Sequence, residues 1–321
     1  MPYTTGQATP RSDIAALVMQ ANSDLDTLLI AEKVAPPIGE DVKRGIYMKA
    51  NLANAELLNA DAQPRESGDD YARVNRAYNT DFFDCQEYGL ESPIDDSFAE
   101  EVDRFMNLEA TEAAILDRSL RLSYEKRVAT LIQNATTFTA TAASAAYTQA
   151  NIATMDPAND VDQAKSRLLL NGVIANCVIM SYNVFQRARR STLLQNQIYG
   201  VVPRTANQKL LPGTEDVAHA FGVDQLLVGM APYNSNIKGQ AYSGSYIWSD
   251  AYFAVANIKA GDYRAGGLAR TIYWTKDTTG LFTPETYRDD RIRSNILRVR
   301  QHSAEKVIDS TCCQLITTSY A

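Results

Sequence analysis

The longest regular pattern in the chain begins at Ser97. Phe98, Val102, Phe105, Ala113, Leu116, Leu120, Tyr124, Val128 and Leu131 recur mostly at steps of three or four residues. That spacing sets side chains along one face of an α-helix. The acid-first pairs Glu100/Arg104 and Asp117/Arg121 fall on the other side, in the favourable i,i+4 order. Asp95, Asp96 or Ser97 can cap the start. No proline or glycine interrupts the stretch, so the pattern predicts one helix over 97–133, a rod of roughly 50 Å at 1.5 Å per residue. Its apolar face drifts away from a strict 3.5-residue repeat, which favours a helix lying on a sheet over a coiled coil.

The patterns on either side are of other kinds. Residues 1–30 read as an arm carrying a short amphipathic helix at Ile14, Leu17 and Val18, and Pro36-Pro37 forbids any helix beyond it. KRGIYMKANLANAEL and YARVNRAYNTDFFDCQEYGL are joined by the polar LNADAQPRESGDD, and together they predict an extended hairpin over about 43–90. Its apolar residues are too sparse to close a core, and the tyrosines and phenylalanines of the return arm favour packing on something else. ATTFTATAASAAYTQANIATM (135–155) reads as irregular or β-like. From Val161 helices and strands alternate: helix VDQAKSRLLL, strand VIANCVIM, helix YNVFQRARR, helix TEDVAHAF, strand QLLVG and strand SYIWSDAYFAV. This is an α/β block. RIRSNILRVRQHSAEKVIDSTCCQLITT returns to strands, and no internal repeat is visible.

Composition narrows the function. The 321 residues are 45% hydrophobic and 21% charged, enough for one large or two ordinary globular domains. A net charge of -7 and a pI near 5.0 argue against a main role in clamping nucleic acid. The start has no signal-peptide pattern, and no apolar run is long enough to span a membrane. Cys85, Cys177, Cys312 and Cys313 form no CxxC pair and read as reduced, buried residues, with the adjacent pair on opposite faces of a strand.

Candidate chemistry fails at each test. The strand-to-helix joint at Met180-Ser181 lacks both a GxSxG elbow and phosphate-cradling glycines, so Ser181 reads as a helix cap. His219 and His302 are the two histidines, and neither sits in a nucleophile's neighbourhood. GDYRAGGLAR (261–270) lacks the P-loop lysine and reads as a turn. The acidic clusters lack the spacing of a calcium loop. Arg288, Arg291, Arg293, Arg298 and Arg300 alternate with acids and read as interface salt bridges. No catalytic, metal or cofactor site is expected.

The order arm, hairpin, long helix, α/β block and closing strands resembles the major capsid protein of tailed bacteriophages, the Hong Kong 97 capsid fold. AEKVAPPIGEDVKRGIYMKA resembles its passage from arm to extended loop. EYGLESPIDDSFAEE resembles the lead into its spine helix, and NGVIANCVIMSYNVFQRARRSTLL the strand and helix of its axial domain. FGVDQLLVGMAPYNSNIKGQ and YIWSDAYFAV resemble the strand-turn-strand segment, and RVRQHSAEKVIDSTCCQLIT the closing strands. The resemblance covers the chain from about residue 25. It implies an α+β fold with an N-terminal arm (1–40), an extended β-hairpin loop (41–90), a peripheral domain with the spine helix (91–160), an α/β axial domain (161–288) and closing peripheral strands (289–321). It also implies a non-enzymatic protein that assembles with itself, as hexamers and pentamers, into an icosahedral shell around a double-stranded DNA genome.

The partners implied are a separate scaffolding protein, a portal, a possible decoration protein, and DNA touched weakly and without sequence specificity; no membrane and no cofactor is implied. The place implied is the virion, assembled in the host cytoplasm. A nanocompartment shell of the encapsulin type and a soluble α/β enzyme are the alternative readings. Candidate interface residues are Arg65, Glu66, Asp69, Asp70 and Tyr71 at the hairpin tip, Arg187, Arg189 and Arg190 after the strand-helix joint, and Arg291 and Arg293. The tip offers no lysine, so covalent cross-linking is not carried over from the family's founding member.

Overall fold

A computed structural model describes residues 9–10, 14, 27–48, 58, 62, 64–65, 67–68, 70–71, 80–97, 107–200, 211–236, 239–263, 266–277 and 280–320. In chain order, the arm contributes strand β1 (Thr9–Pro10), a helical turn α1 (Ala31–Val34) and β2 (Pro37–Glu40). β3 (Arg44–Met48) and β4 (Thr80–Asp84) form the base of the hairpin, and β5 (Gln86–Asp95) leads to the long helix α2 (Leu108–Ile132). Then follow β6 (Ala140–Ala142), α3 (Pro157–Leu170), β7 (Cys177–Ser181), α4 (Tyr182–Ala188), α5 (Thr192–Tyr199), α6 (Thr214–Phe221) and β8 (Gln225–Gly229). The chain ends with β9 (Pro232–Asn234), β10 (Gly244–Tyr246), β11 (Tyr252–Ala256), β12 (Ala269–Trp274), β13 (Thr283–Asp289), β14 (Ser294–Val307) and β15 (Cys313–Thr317).

Two sheets share one helix. The first runs β1-β13-β14-β12-β2, with β5 also paired along β14; the second runs β6-β15-β11-β7-β8. Leu297 and Val299 of β14 bury against Ala113, Leu116 and Leu120 in the first half of α2, with Ile14 of the arm in the same cluster. Tyr124, Val128, Ala129 and Ile132 in the second half lie instead against Cys177, Ile179, Ala254, Ala256 and Leu315 of the second sheet. The opposite face of that sheet, with Val178, Met180, Val228, Phe253 and Val255, is covered by residues of α3, α4 and α6. Every residue of β7 is buried, which is why it is an unbroken apolar run and not an alternating one.

The helix expected over 97–133 starts later. Asn107 has extended backbone angles, and its side chain accepts a hydrogen bond from the Ala110 N–H, so α2 begins at Leu108 and spans about 37 Å over its 25 residues. Phe98, Glu100, Val102, Arg104 and Phe105 lie outside the described residues, as does most of the arm helix. Asp117 belongs to the buried face and not to the solvent side, bonded to Arg121 at 2.8 Å. α3 starts at Pro157, capped by Asp156, not at Val161. The strand expected from Val173 begins at Cys177, and a further helix, α5, follows α4. SYIWSDAYFAV divides into β10 and β11 around a turn.

The boundary expected at 288/289 does not follow the sheets. β12, placed in the axial block, pairs with β14 of the first sheet; β15, placed among the peripheral strands, lies between β6 and β11 of the second. Cys312 sits in a 3₁₀ turn and Cys313 opens β15; all four cysteines are free and buried, as expected.

At the point where α2 passes between the sheets, its Glu125 is fully buried. The carboxylate accepts hydrogen bonds from the N–H groups of Ile30 and Ala31, at 3.0 and 2.8 Å, and from Trp248 Nε1 at 2.6 Å. It thereby satisfies the open first turn of α1 and ties the arm and the loop before β11 to the helix. Burial pushes this carboxyl upward against the opposing pull of the three N–H donors.

Candidate assembly surfaces

β3 and β4 pair antiparallel from Arg44↔Asp84 to Met48↔Thr80. Strand alternation splits their side chains between two faces. Tyr47 and Phe83 turn inward onto Cys85, Ile272, Ala304 and Ile308, which roots the hairpin on the first sheet. Gly45 leaves room for the Phe83 ring, since a Cβ there would lie 2.8 Å from it. Ile46 and Phe82 form the outward cross-strand pair and are 77% and 65% exposed, with Val42 also exposed and the Lys306 ammonium 5.1 Å from the Phe82 ring centre. An opposed Ile–Phe pair left in water is an unpartnered apolar surface; complete burial of either side chain is worth about 1.5–3 kcal/mol.

At the tip, the Arg65 guanidinium lies 4.6 Å over the Tyr71 ring, and Asp70 and Tyr71 are exposed. All three expected interface residues are solvent-exposed. Glu66 and Asp69 lie outside the described residues.

The other arginines divide. Ser181 caps α4 as expected, accepting from the Val184 N–H, and its hydroxyl donates to Asp250, whose second oxygen accepts from Asn183. Arg187 donates to Gln149 and lies 5.8 Å from the Tyr320 ring, and Arg189 stacks on Phe185 at 5.5 Å. Only Arg190 of this run is exposed. Arg291 and Arg293 project from the turn between β13 and β14: Arg291 is exposed and reaches Asp289 at 3.4 Å, and Arg293 takes a left-handed backbone at φ 49.

Arg298 and Arg300 find their acids within the chain. Both bind the buried Glu285 carboxylate, at 2.6 and 2.7 Å, and Arg300 also binds Asp277, which accepts from His302 Nδ1 at 2.6 Å. Arg288 pairs with Asp96 across the same sheet. Burial alone would raise the Glu285 and Asp277 carboxyls, yet both are held below the ordinary carboxylate range by bonds and charge from Arg298, Arg300 and His302. His302 is an interior residue in the middle of β14, and His219 is exposed on α6.

The glycine-rich 261–270 segment is a turn whose carbonyls face inward. Gly261, Gly266 and Ala269 each accept from the fully buried Arg270 guanidinium, so the described part of the segment wraps a cation of the chain's own. Among the described residues no group of three or more His, Cys, Asp or Glu is placed to hold a metal, and no helix is long and apolar enough to cross a membrane. Sequence reading missed Ile46, Phe82, Glu125 and Arg270. The Ile46–Phe82 pair alone carries a visible signal, the alternation of GIYMK and TDFFD.

Two sheets bridged by one long helix, with a two-stranded hairpin base rooted on the first sheet and a helix-covered second sheet, make an α+β fold of the kind solved for phage capsid proteins. The solved structures agree. The chain is similar to a phage-related protein from Bordetella bronchiseptica RB50, with 14% identity, TM-score 0.67, and 97% of this chain and 98% of that one covered. It is similar to the capsid of a native GTA particle, with 10% identity, TM-score 0.56, and 91% and 90% covered. It is also similar to the capsid of cyanophage P-SCSP1u, with 11% identity, TM-score 0.55, and 90% and 86% covered. No family model and no curated protein matches the sequence. At these identities the likeness is one of fold.

Proposed function

We propose that the chain is a major capsid protein, a structural subunit whose copies assemble into the icosahedral head of a tailed phage and that acts by assembly and not by catalysis. The observation that carries this is the overlap with capsid proteins over 90% and 91% of this chain and 86% and 90% of theirs. The exposed Ile46–Phe82 pair and the exposed Tyr71 support it, because they offer a neighbour apolar and aromatic surface. Repeating one heterologous contact generates rings, and a shell closes where five- and six-membered rings coexist. Many weak contacts per subunit suffice, since each is made at high effective concentration once the first has formed.

In this reading the chain resides in the virion, is assembled in the host cytoplasm with a separate scaffolding protein and a portal, with a decoration protein as a possible addition, and meets packaged DNA weakly and without sequence preference. Negative-stain microscopy and sedimentation of the purified protein test it. Closed particles of megadalton size are expected, with nucleic acid inside when they come from infected cells. A monodisperse monomer or dimer that persists with scaffold present overturns it, and particles filled with one enzyme mark a nanocompartment instead.

A further inference from the structure

β5 pairs with β14 along all 10 of its residues, and among the described residues no strand pairs with its other edge. The Asp96 N–H donates to the Arg293 carbonyl. Antiparallel alternation then turns the even-numbered backbone groups of β5 toward β14 and those of Glu87, Gly89, Glu91, Pro93 and Asp95 outward. All five are exposed, and Pro93, which has no N–H to give a ladder, falls in the outward set. Their side chains share one face of the sheet. There Glu87 and Glu91 lie 3.8 and 3.5 Å from Arg300 and Arg298, which already bind Asp277 and Glu285, so four carboxylates face two arginines and His302. β3 has the matching edge. The Cys85 N–H donates to the Lys43 carbonyl, so Gly45 and Tyr47 bond β4 while the backbone groups of Arg44, Ile46 and Met48 point outward. The side chains of Arg44 and Ile46 are exposed.

We propose that β3 of a second copy extends the first sheet along β5, antiparallel, with Arg44 opposite Glu91, Ile46 opposite Gly89 and Met48 opposite Glu87. In this register the outward backbone groups of the two strands meet pair by pair. The guanidinium joins a face on which carboxylates outnumber arginines, and Gly89 leaves room for Ile46. Sliding the second copy to Asp95 and Pro93 keeps the charge match but loses the N–H that Pro93 lacks. The contact joins two different edges of the chain, so it is heterologous and passes from copy to copy. The pairing rests on the shell reading; the open edge of β5 in the free chain does not.

Hydrogen exchange of the wild-type chain tests both parts. The Gly89 and Glu91 amides are expected to exchange quickly in the free chain and several-fold more slowly in particles. Glu91→Pro removes an outward N–H and spares the β14 ladder, so it is expected to leave the melting temperature of the free chain near wild type and to abolish particles. The four native cysteines are buried, so introduced thiols can be read alone. Arg44→Cys and Glu91→Cys chains, co-assembled and oxidised, are expected to give disulfide-linked pairs holding one of each, and neither variant by itself gives any. Protection of the Gly89 and Glu91 amides already in the free chain overturns the open edge. Particles in which those amides stay fast, normal particle yield from Glu91→Pro, or mixed particles without linked pairs overturn the pairing. Failure of the wild-type chain to form particles at all counts against the shell reading, while exchange in the free chain still decides the edge.

Discussion

Replacing Glu125 with leucine keeps the volume of the side chain and removes both oxygens. Three buried donors, the Ile30 and Ala31 N–H groups and Trp248 Nε1, lose their acceptor together. A stranded buried donor costs about 1–3 kcal/mol, so three cost about 3–9 kcal/mol. The leucine also relieves the burial of a carboxyl, which pulls the net to the low end, about 3–4 kcal/mol. At about 2 °C per kcal/mol for a chain of this size, the unassembled protein should melt about 6–8 °C lower. Calorimetry of Glu125→Leu beside Ser119→Ala, an exposed change on the same helix, measures this. A melting temperature within about 2 °C of wild type refutes the claim that this carboxylate holds the arm and the Trp248 loop to the helix.

Three further outcomes follow from the same geometry. Glu285, held below the ordinary carboxylate range, binds fewer protons in the folded state than in the unfolded one on the acid side; its contribution is full above about pH 4.5 and is lost as pH falls through the folded value. Glu285→Gln should therefore be less stable at neutral pH and show a shallower acid limb in urea midpoints between pH 2 and 6, and parallel limbs would contradict the pairing with Arg298 and Arg300. Burial pushes the thiols of Cys85, Cys177 and Cys312 up to about 11, 12 and 12, and Cys313 higher still. A maleimide at pH 7 should label none of them in the folded chain and all four in denaturant, whereas stoichiometric native labelling would show the core is open. Phe82→Asp, at an exposed position, should leave the melting temperature nearly unchanged and abolish particles; particles of normal yield would remove the hairpin base from the assembly surface.

Much of this fold is legible in the sequence, and the limits are physical. The buried face of α2 reads directly because Ala113, Leu116, Leu120, Tyr124 and Val128 recur at helical spacing and all face a sheet. Its start does not, because Asn107 is a cap only once the backbone turns there. Glu125, Arg270 and His302 stand out in no local pattern, and nothing in the sequence shows that three N–H groups, three carbonyls or an aspartate wait for them inside. The same holds for Arg298 and Arg300, whose alternation with acids is visible but whose partners lie within the chain. The polar tip around Arg65 and Tyr71 is readable from its composition, whereas Arg291 and Arg293 read as part of a strand and lie in the turn before β14. The Ile46–Phe82 pair is not readable as surface, since alternation alone does not say which face of a strand meets water.

The strand order bears on when the subunit becomes whole. β15 lies inside its sheet, between β6 and β11, and β14 gathers β5, β12 and β13 around itself. Neither sheet can close while the chain is still being made, because each waits for strands encoded after residue 290. Pairings this distant in sequence are slow to form. A nascent or truncated chain thus cannot present either finished sheet, and the two sheets are completed together, by the last strands to be made.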